Sequence, residues 1–219
     1  MTVPDSRPVT VLLVDDHAVV REGYRRLLER SPGITVVGEA ADAQSAYLKF
    51  VELDPDVVVI DISLPGASGI DALRRMKARN PDARVLVFSM HDDVVFARRA
   101  LQAGAMGYVT KRSAPDELVA AVLRIAAGQT YLDNAMAQEL AFGSATGEQD
   151  PAATLSAREF EVLRLLVRGV ALRDIARQLD LTPKTVANHQ SSIRQKLGAD
   201  TAVKLLQAAA RLGLETGQP

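Results

Sequence analysis

Four apolar runs each end on a side chain of a kind that does chemistry: Asp15-Asp16 after 9–14, Asp61 after 57–60, Ser89 after 84–88 and Lys111 after 105–109. Asp61 follows four consecutive β-branched residues, Val57-Val58-Val59-Ile60, and precedes Leu64-Pro65-Gly66. Taken alone, it reads equally as a functional carboxylate or as an Asp that caps a loop. Three carboxylates brought into one crevice repel each other unless a cation offsets them, and a hard divalent ion with oxygen ligands, Mg²⁺, meets that need. A metal, an ammonium (Lys111), a hydroxyl (Ser89) and a nucleophilic carboxylate (Asp61) together suit phosphoryl transfer to Asp. The cations offset charge on the phosphoryl oxygens and the hydroxyl donates a hydrogen bond.

Whether these groups meet depends on the elements that carry them. Val9–Val14 and Ile34–Val37 read as strands, as do the runs ending at Asp61, Ser89 and Lys111. Helical periodicity covers 19–30, 43–53, 67–78, 93–103 and 115–127, the last with Pro at its start and Gly128 after its end. Five strand–helix units in strict alternation predict a parallel, doubly wound, flavodoxin-like sheet, because right-handed crossovers place helices on both faces. In that strand order the first and third strands are neighbours at the topological switch point, so Asp15, Asp16 and Asp61 share a crevice.

A different pattern follows. Residues 128–153 lose periodicity after Met136–Phe142, and the Gly/Ser/Pro-containing stretch 143–151 has linker composition. The expected organisation is an α/β domain over 1–127, a linker over 128–153 and an all-α, four-helix domain over 154–219. Ser156-Ala157-Arg158-Glu159 is a capping box opening the first of these helices, Leu172–Leu179 is the second, Thr182-Pro183 opens a third that runs to Leu197, and Asp200 is placed to cap a fourth carrying Val203, Leu206, Ala210 and Leu212. Charge changes with it: 16 basic against 21 acidic residues up to 153, then 10 against 6. A basic helical module points to nucleic acid, with a solvated helical surface as the plain alternative.

The second and third helices have helix-turn-helix spacing. With Ile175, Ala176 and Leu179 packed on Val186, Ile193 and Leu197, the side chains left off the core are Lys184, Thr185, Asn188, His189, Ser192 and Lys196. Cations, an amide and small polar residues on one helix suit phosphates and base edges. With no cysteine, disulfides and thiolate metal sites are excluded, and three His leave little for zinc. No export signal or membrane segment is read from the chain, and the expected compartment is the cytoplasm.

Residues 9–127 resemble the receiver domain of bacterial two-component response regulators, through Asp15-Asp16, Asp61, Ser89, Tyr108 and Lys111. Residues 154–214 resemble the LuxR-type helix-turn-helix of the NarL/FixJ subfamily, through Leu155-Ser156, Glu159, Val162-Leu163, Gly169, Ile175-Ala176, Lys184-Thr185-Val186, His189 and Lys196-Leu197-Gly198. The resemblance implies a phosphoacceptor Asp61 supplied by a histidine kinase, with Mg²⁺ held by Asp16, Asp61 and the main-chain carbonyl of Ser63. Asp15 would stand one layer out, behind the ligands, or reach the ion through a water. Ser89 and Tyr108 would be switch residues, with Tyr108 turning inward behind Ser89. It also implies promoter DNA as ligand, with RNA polymerase as a further partner; a homodimer is expected because the small DNA-binding module alone makes few contacts and apolar positions are expected exposed on the last helix. The protein would be no enzyme in the ordinary sense, but a phosphoacceptor assisting its own Mg²⁺-dependent phosphorylation and dephosphorylation.

Three features depart from the family pattern. Arg112 stands where many receivers have Pro, Ala171-Leu172-Arg173 lacks a capping side chain worth ~1 kcal/mol, and Asp180 replaces the turn Gly. Among rivals, a phosphoryl-enzyme phosphatase wants a second Asp where Ser63 stands. A nucleotide-binding protein wants a Gly-rich phosphate loop that follows none of the strands. A constitutive DNA binder that ignores phosphate fits the same sequence. His17 and His91 are read as bystanders.

Overall fold

The computed structural model describes residues 7–65, 67–92, 94–133, 136–138, 140, 155–212 and 214. The chain divides into two compact units, Met1–Gly143 and Ser144–Pro219.

In the first unit, strands β1 (Val9–Val14), β2 (Ile34–Ala40), β3 (Val57–Ile60), β4 (Val85–Ser89) and β5 (Gly107–Thr110) alternate with helices α1 (Ala18–Glu29), α2 (Ala43–Leu53), α3 (Gly69–Arg79), α4 (Val94–Gln102) and α5 (Pro115–Ala126). The sheet is parallel, in the order β2-β1-β3-β4-β5 with a sixth strand beyond β5. Five of these strands follow the expected pattern. The sixth, β6 (Tyr131–Leu132), pairs with Gly107 and Tyr108 of β5. Two residues are too short to show a period, so the sheet runs past residue 127 into the stretch read as linker.

Burial fixes where the strand ends fall. All four β3 side chains are at most 1 % exposed. Each such side chain contributes about 1.5–3 kcal/mol by burial, so the strand cannot slip along its neighbours cheaply. Val14 pairs with Ile60, and beyond that pair Asp61 N donates to Val14 O (3.0 Å) while Asp15 N donates to Ala40 O (3.1 Å). Asp15 and Asp61 therefore leave the sheet side by side. Ser89 is in register with Thr110, and Lys111 N donates to Ser89 O (2.8 Å).

Helix starts follow local chemistry. The carboxylate of Asp42 accepts from Gln44 N and Ser45 N at the head of α2, and the hydroxyl of Ser68 accepts from Ile70 N at the head of α3. The expected start of α3 at residue 67 moves to Gly69 because Ser68 caps it.

The second unit is helical: α6 (Ala157–Val167), α7 (Leu172–Gln178), α8 (Pro183–Leu197) and α9 (Ala202–Arg211). The Ser156/Glu159 capping box is formed, and Thr182 caps α8 with Pro183 in its first turn. Ala171 gives α7 no side-chain cap, and Asp180 takes the left-handed conformation (φ 49°) in the turn before α8. At α9 the cap is Thr201, whose hydroxyl accepts from Lys204 N, and Asp200 pairs with Lys204 Nζ at 2.9 Å instead. Leu205, Ala209 and Leu212 face the core, leaving Val203 and Leu206 exposed.

Candidate functional site

At the carboxyl ends of β1, β3 and β5, the Lys111 ammonium lies 2.5 Å from both Asp15 Oδ2 and Asp61 Oδ2. All three side chains are about 95 % buried or more. Burial alone would lower the Lys111 pKa; the Asp61 and Asp15 carboxylates outweigh it and hold the ammonium above its ordinary value. A protein cation thus offsets two of the three carboxylates that converge here, a pairing that sequence alone does not reveal.

Asp16 is turned another way. Its side chain is 25 % exposed, and His17 Nδ1 lies 2.7 Å from its Oδ1. That oxygen is shielded from solvent and accepts no hydrogen bond with suitable geometry. Asp15, Asp16 and His17 offer ligand atoms within 4.8 Å of one another, a donor set rich in hard oxygens and able to hold a divalent cation. Ser63, two residues past Asp61, donates its amide to Asp61 Oδ1 (3.2 Å).

Ser89 and Tyr108 are both fully buried. The Tyr108 hydroxyl donates to His91 O at 2.8 Å, so the ring already lies inward. His91 is more involved than its bystander reading suggested. Its Nε2 lies 2.9 Å from Ser63 Oγ, its ring stacks on Phe96 at 4.1 Å, and its amide approaches Ser89 Oγ at 3.5 Å. It links the loop after β3 to the loop after β4. Arg112, exposed, pairs with Asp92 at 2.5 Å.

In the second unit Ile175, Ala176, Val186 and Ile193 of the expected packing stripe are buried, while Leu179 and Leu197 are only half-buried. Lys184 and Asn188 are exposed on α8, while Thr185, His189 and Ser192 are half-buried. Thr185 shares a hydroxyl hydrogen bond with the cap residue Thr182 (2.8 Å). Ser192 Oγ donates to Glu159 Oε1 and Lys196 Nζ to Glu159 Oε2, each at 2.6 Å. Burial opposes ionisation of Glu159, but Lys196, Ser192 and Ser156 overcome it and bring its pKa to about 2. Burial pushes His189 below its ordinary value, with the Glu159 charge acting against that. Of the six side chains read as off the core, two are therefore engaged in fastening α8 to α6. The signal for this was the capping-box Glu, whose second oxygen has lone pairs to share.

Comparison with known proteins agrees with both halves. Residues 11–123 match the response regulator receiver domain family, and residues 153–209 match the luxR family of bacterial regulatory proteins. The chain is 37 % identical over 208 residues to the response regulator UvrY of Escherichia coli (strain K12), covering 94 % of this chain and 95 % of that one. It is similar to a two-component response regulator of the LuxR family from Aurantimonas sp. SI85-9A1 (50 % identity, TM-score 0.61, 63 % of this chain and 99 % of that one). It is also similar to RcsB from Salmonella enterica serovar Typhimurium bound to promoter rprA in the presence of the phosphomimetic BeF3- (29 % identity, TM-score 0.60, 93 % and 99 %). With an acidic, lysine-bridged crevice at the strand ends of one unit and a capped helix-turn-helix in the other, the chain belongs to the two-component response regulators that join a phosphorylatable receiver to a LuxR-type DNA-binding domain and regulate transcription.

Proposed function

We infer that Asp61 is the phosphoacceptor, that a sensor histidine kinase is the donor, and that phosphorylation controls promoter binding by a homodimer in the cytoplasm. The observation that carries this reading is the meeting of Asp61, Asp15 and Lys111 at adjacent strand ends, with Ser89 at the end of the next strand. In transfer, an Asp61 carboxylate oxygen attacks phosphorus, and the bond from phosphorus to the donor's leaving atom breaks. The Lys111 ammonium offsets charge on the phosphoryl oxygens, and the Ser89 hydroxyl donates to one of them. Asp15, Asp16, Asp61 and the Ser63 main-chain carbonyl would hold Mg²⁺. The ion supplies further charge neutralisation at the phosphoryl oxygens when bound. Hydrolysis of the acyl phosphate uses the same groups and restores the carboxylate.

Rearrangement at Ser89 is passed to Tyr108 through the His91 loop, whose carbonyl the Tyr108 hydroxyl holds. On DNA, Lys184 and Asn188 are the exposed readers of α8, with Thr185 and His189 beside them. Ser192 and Lys196 act near the phosphates while remaining tied to Glu159. The exposed Val203 and Leu206 of α9 supply a self-complementary apolar face for the dimer. A random-sequence DNA pool tests this reading. Selection should be stronger and dimers more abundant with acetyl phosphate and Mg²⁺ than without. Equal selection in both conditions would support the constitutive binder.

A further inference from the structure

Behind the acidic loop lies a charged cluster with no part in the chemistry just described. Arg21 of α1 donates from Nη1 to the main-chain carbonyl of Asp15 (2.6 Å) and from Nε to Glu39 Oε2 on β2 (2.8 Å). Arg25 Nη1 takes the other oxygen, Glu39 Oε1 (2.9 Å), and Lys49 of α2 donates to the Glu39 main-chain carbonyl (2.5 Å). Arg21 and Glu39 are 17 % and 25 % exposed, so water competes weakly for this pairing. Burial works against the Glu39 carboxylate, but Arg21 and Arg25 keep its pKa below the ordinary value, so the brace is ionised at neutral pH.

The carbonyl that Arg21 holds belongs to the peptide plane joining Asp15 to Asp16, and that plane is rigid. Asp15 is also fixed through its amide, which donates to Ala40 O, and through Oδ1, which accepts from His17 N (2.8 Å). Asp16 has no such backbone anchors among the described residues: its Oδ1 meets only the His17 ring, Nδ1 at 2.7 Å, and accepts no hydrogen bond of suitable geometry. The plane that Arg21 grips therefore places the Asp16 backbone from which that carboxylate, beside the His17 ring, extends.

The geometry points to Arg21, braced by Glu39, as a positioning residue that sets divalent-cation affinity by fixing the Asp15–Asp16 peptide plane. This rests on the reading that Asp15 and Asp16 hold Mg²⁺. Charge alone predicts the opposite sign: a guanidinium close to a cation site repels the ion, so its removal would tighten binding. Preorganisation predicts weakening, as for the outer partners of metal ligands, whose loss typically costs 10- to 100-fold in affinity.

The test is a Mg²⁺ titration of the full-length protein followed by amide NMR shifts, with thermal melts confirming that each variant is folded. Arg21→Gln should weaken binding about ten-fold. Arg21→Lys, which keeps the charge but cannot span Glu39 and the Asp15 carbonyl together, should weaken it comparably. Glu39→Gln, which keeps an acceptor for Arg21, should lose less, and it carries the test if Arg21→Gln does not fold. Acetyl phosphate labelling should need more Mg²⁺ for half-maximal rate while its rate at saturating Mg²⁺ stays near wild type. Binding by folded Arg21→Gln as tight as wild type, or tighter, overturns the proposal. A wild type that binds no Mg²⁺, or an Asp16→Asn that binds as wild type does, overturns the cation site itself.

Discussion

Gly69 offers the sharpest mechanical test of how the fold holds Asp61. A Cβ built on it would lie 1.9 Å from the Asp61 carbonyl oxygen, 2.8 Å from its carbonyl carbon and 3.1 Å from Ile62 Cα. These obstacles are backbone on the strand end that carries the phosphoacceptor, so no rotamer change relieves them. Restoring an ordinary 3.4 Å contact requires a shift of about 1.5 Å between α3 and the end of β3. The Gly69 N donor to Ile62 O (2.9 Å) would be strained or lost in the process. Overpacking costs about 1–3 kcal/mol and the hydrogen bond about 1 kcal/mol more. Gly69→Ala should thus lower the melting temperature by roughly 10 °C. A reacting group displaced by about 1 Å loses about 100-fold in rate, so Asp61 labelling should fall by that order even in the folded fraction. The assay is a time course of intact mass with acetyl phosphate and Mg²⁺ below the melting range, beside melts by circular dichroism. A variant labelled at the wild-type rate with an unchanged melt would refute the argument that this close approach fixes the phosphoacceptor.

Two further predictions probe separate parts of the account. Gly23 lies inside α1 with no atom of a described residue within 4 Å of a built Cβ, so Gly23→Ala should stabilise the protein by up to about 1 kcal/mol and leave labelling unchanged; a lower melting temperature would count against it. Glu159, with a folded pKa of about 2 against an ordinary 4.5, adds stability that is fully present above pH about 5 and is lost as pH falls through 4 towards 2. The shift corresponds to a few kcal/mol before screening, and screening at the 38 % exposed Lys196 brings this to about 2 kcal/mol. Glu159→Gln should therefore melt several degrees lower at pH 7 and show a flatter acid limb; an acid limb as steep as wild type would sink the assignment.

The sequence made the strand ends legible because parallel, doubly covered strands read as unbroken apolar runs, and a polar residue that closes such a run is conspicuous. Val57–Ile60 followed by Asp61 is the clearest case, and the register then puts Asp15 alongside it. The capping signals at Ser156, Thr182 and Pro183 were equally local and are all used. Contacts made at long range were not legible. Nothing in the spacing of Asp15, Asp61 and Lys111 shows that one ammonium serves two carboxylates, nor that Ser192 and Lys196 reach back to Glu159. The cap at α9 went to Thr201 rather than Asp200, since both types cap and the one-residue choice depends on where the turn from Gly198 ends. His91 and Arg21 escaped notice because their roles lie in what their backbone or long side chain touches across the fold.

The most direct measurement of the central claim is the intact mass of the full-length protein after incubation with acetyl phosphate and Mg²⁺, compared with Asp61→Asn. The account predicts one added phosphoryl group on the wild type and none on the variant, and no labelling of either when Mg²⁺ is chelated. Equal labelling of both proteins, or no labelling of a wild type that binds Mg²⁺, would contradict Asp61 as the phosphoacceptor.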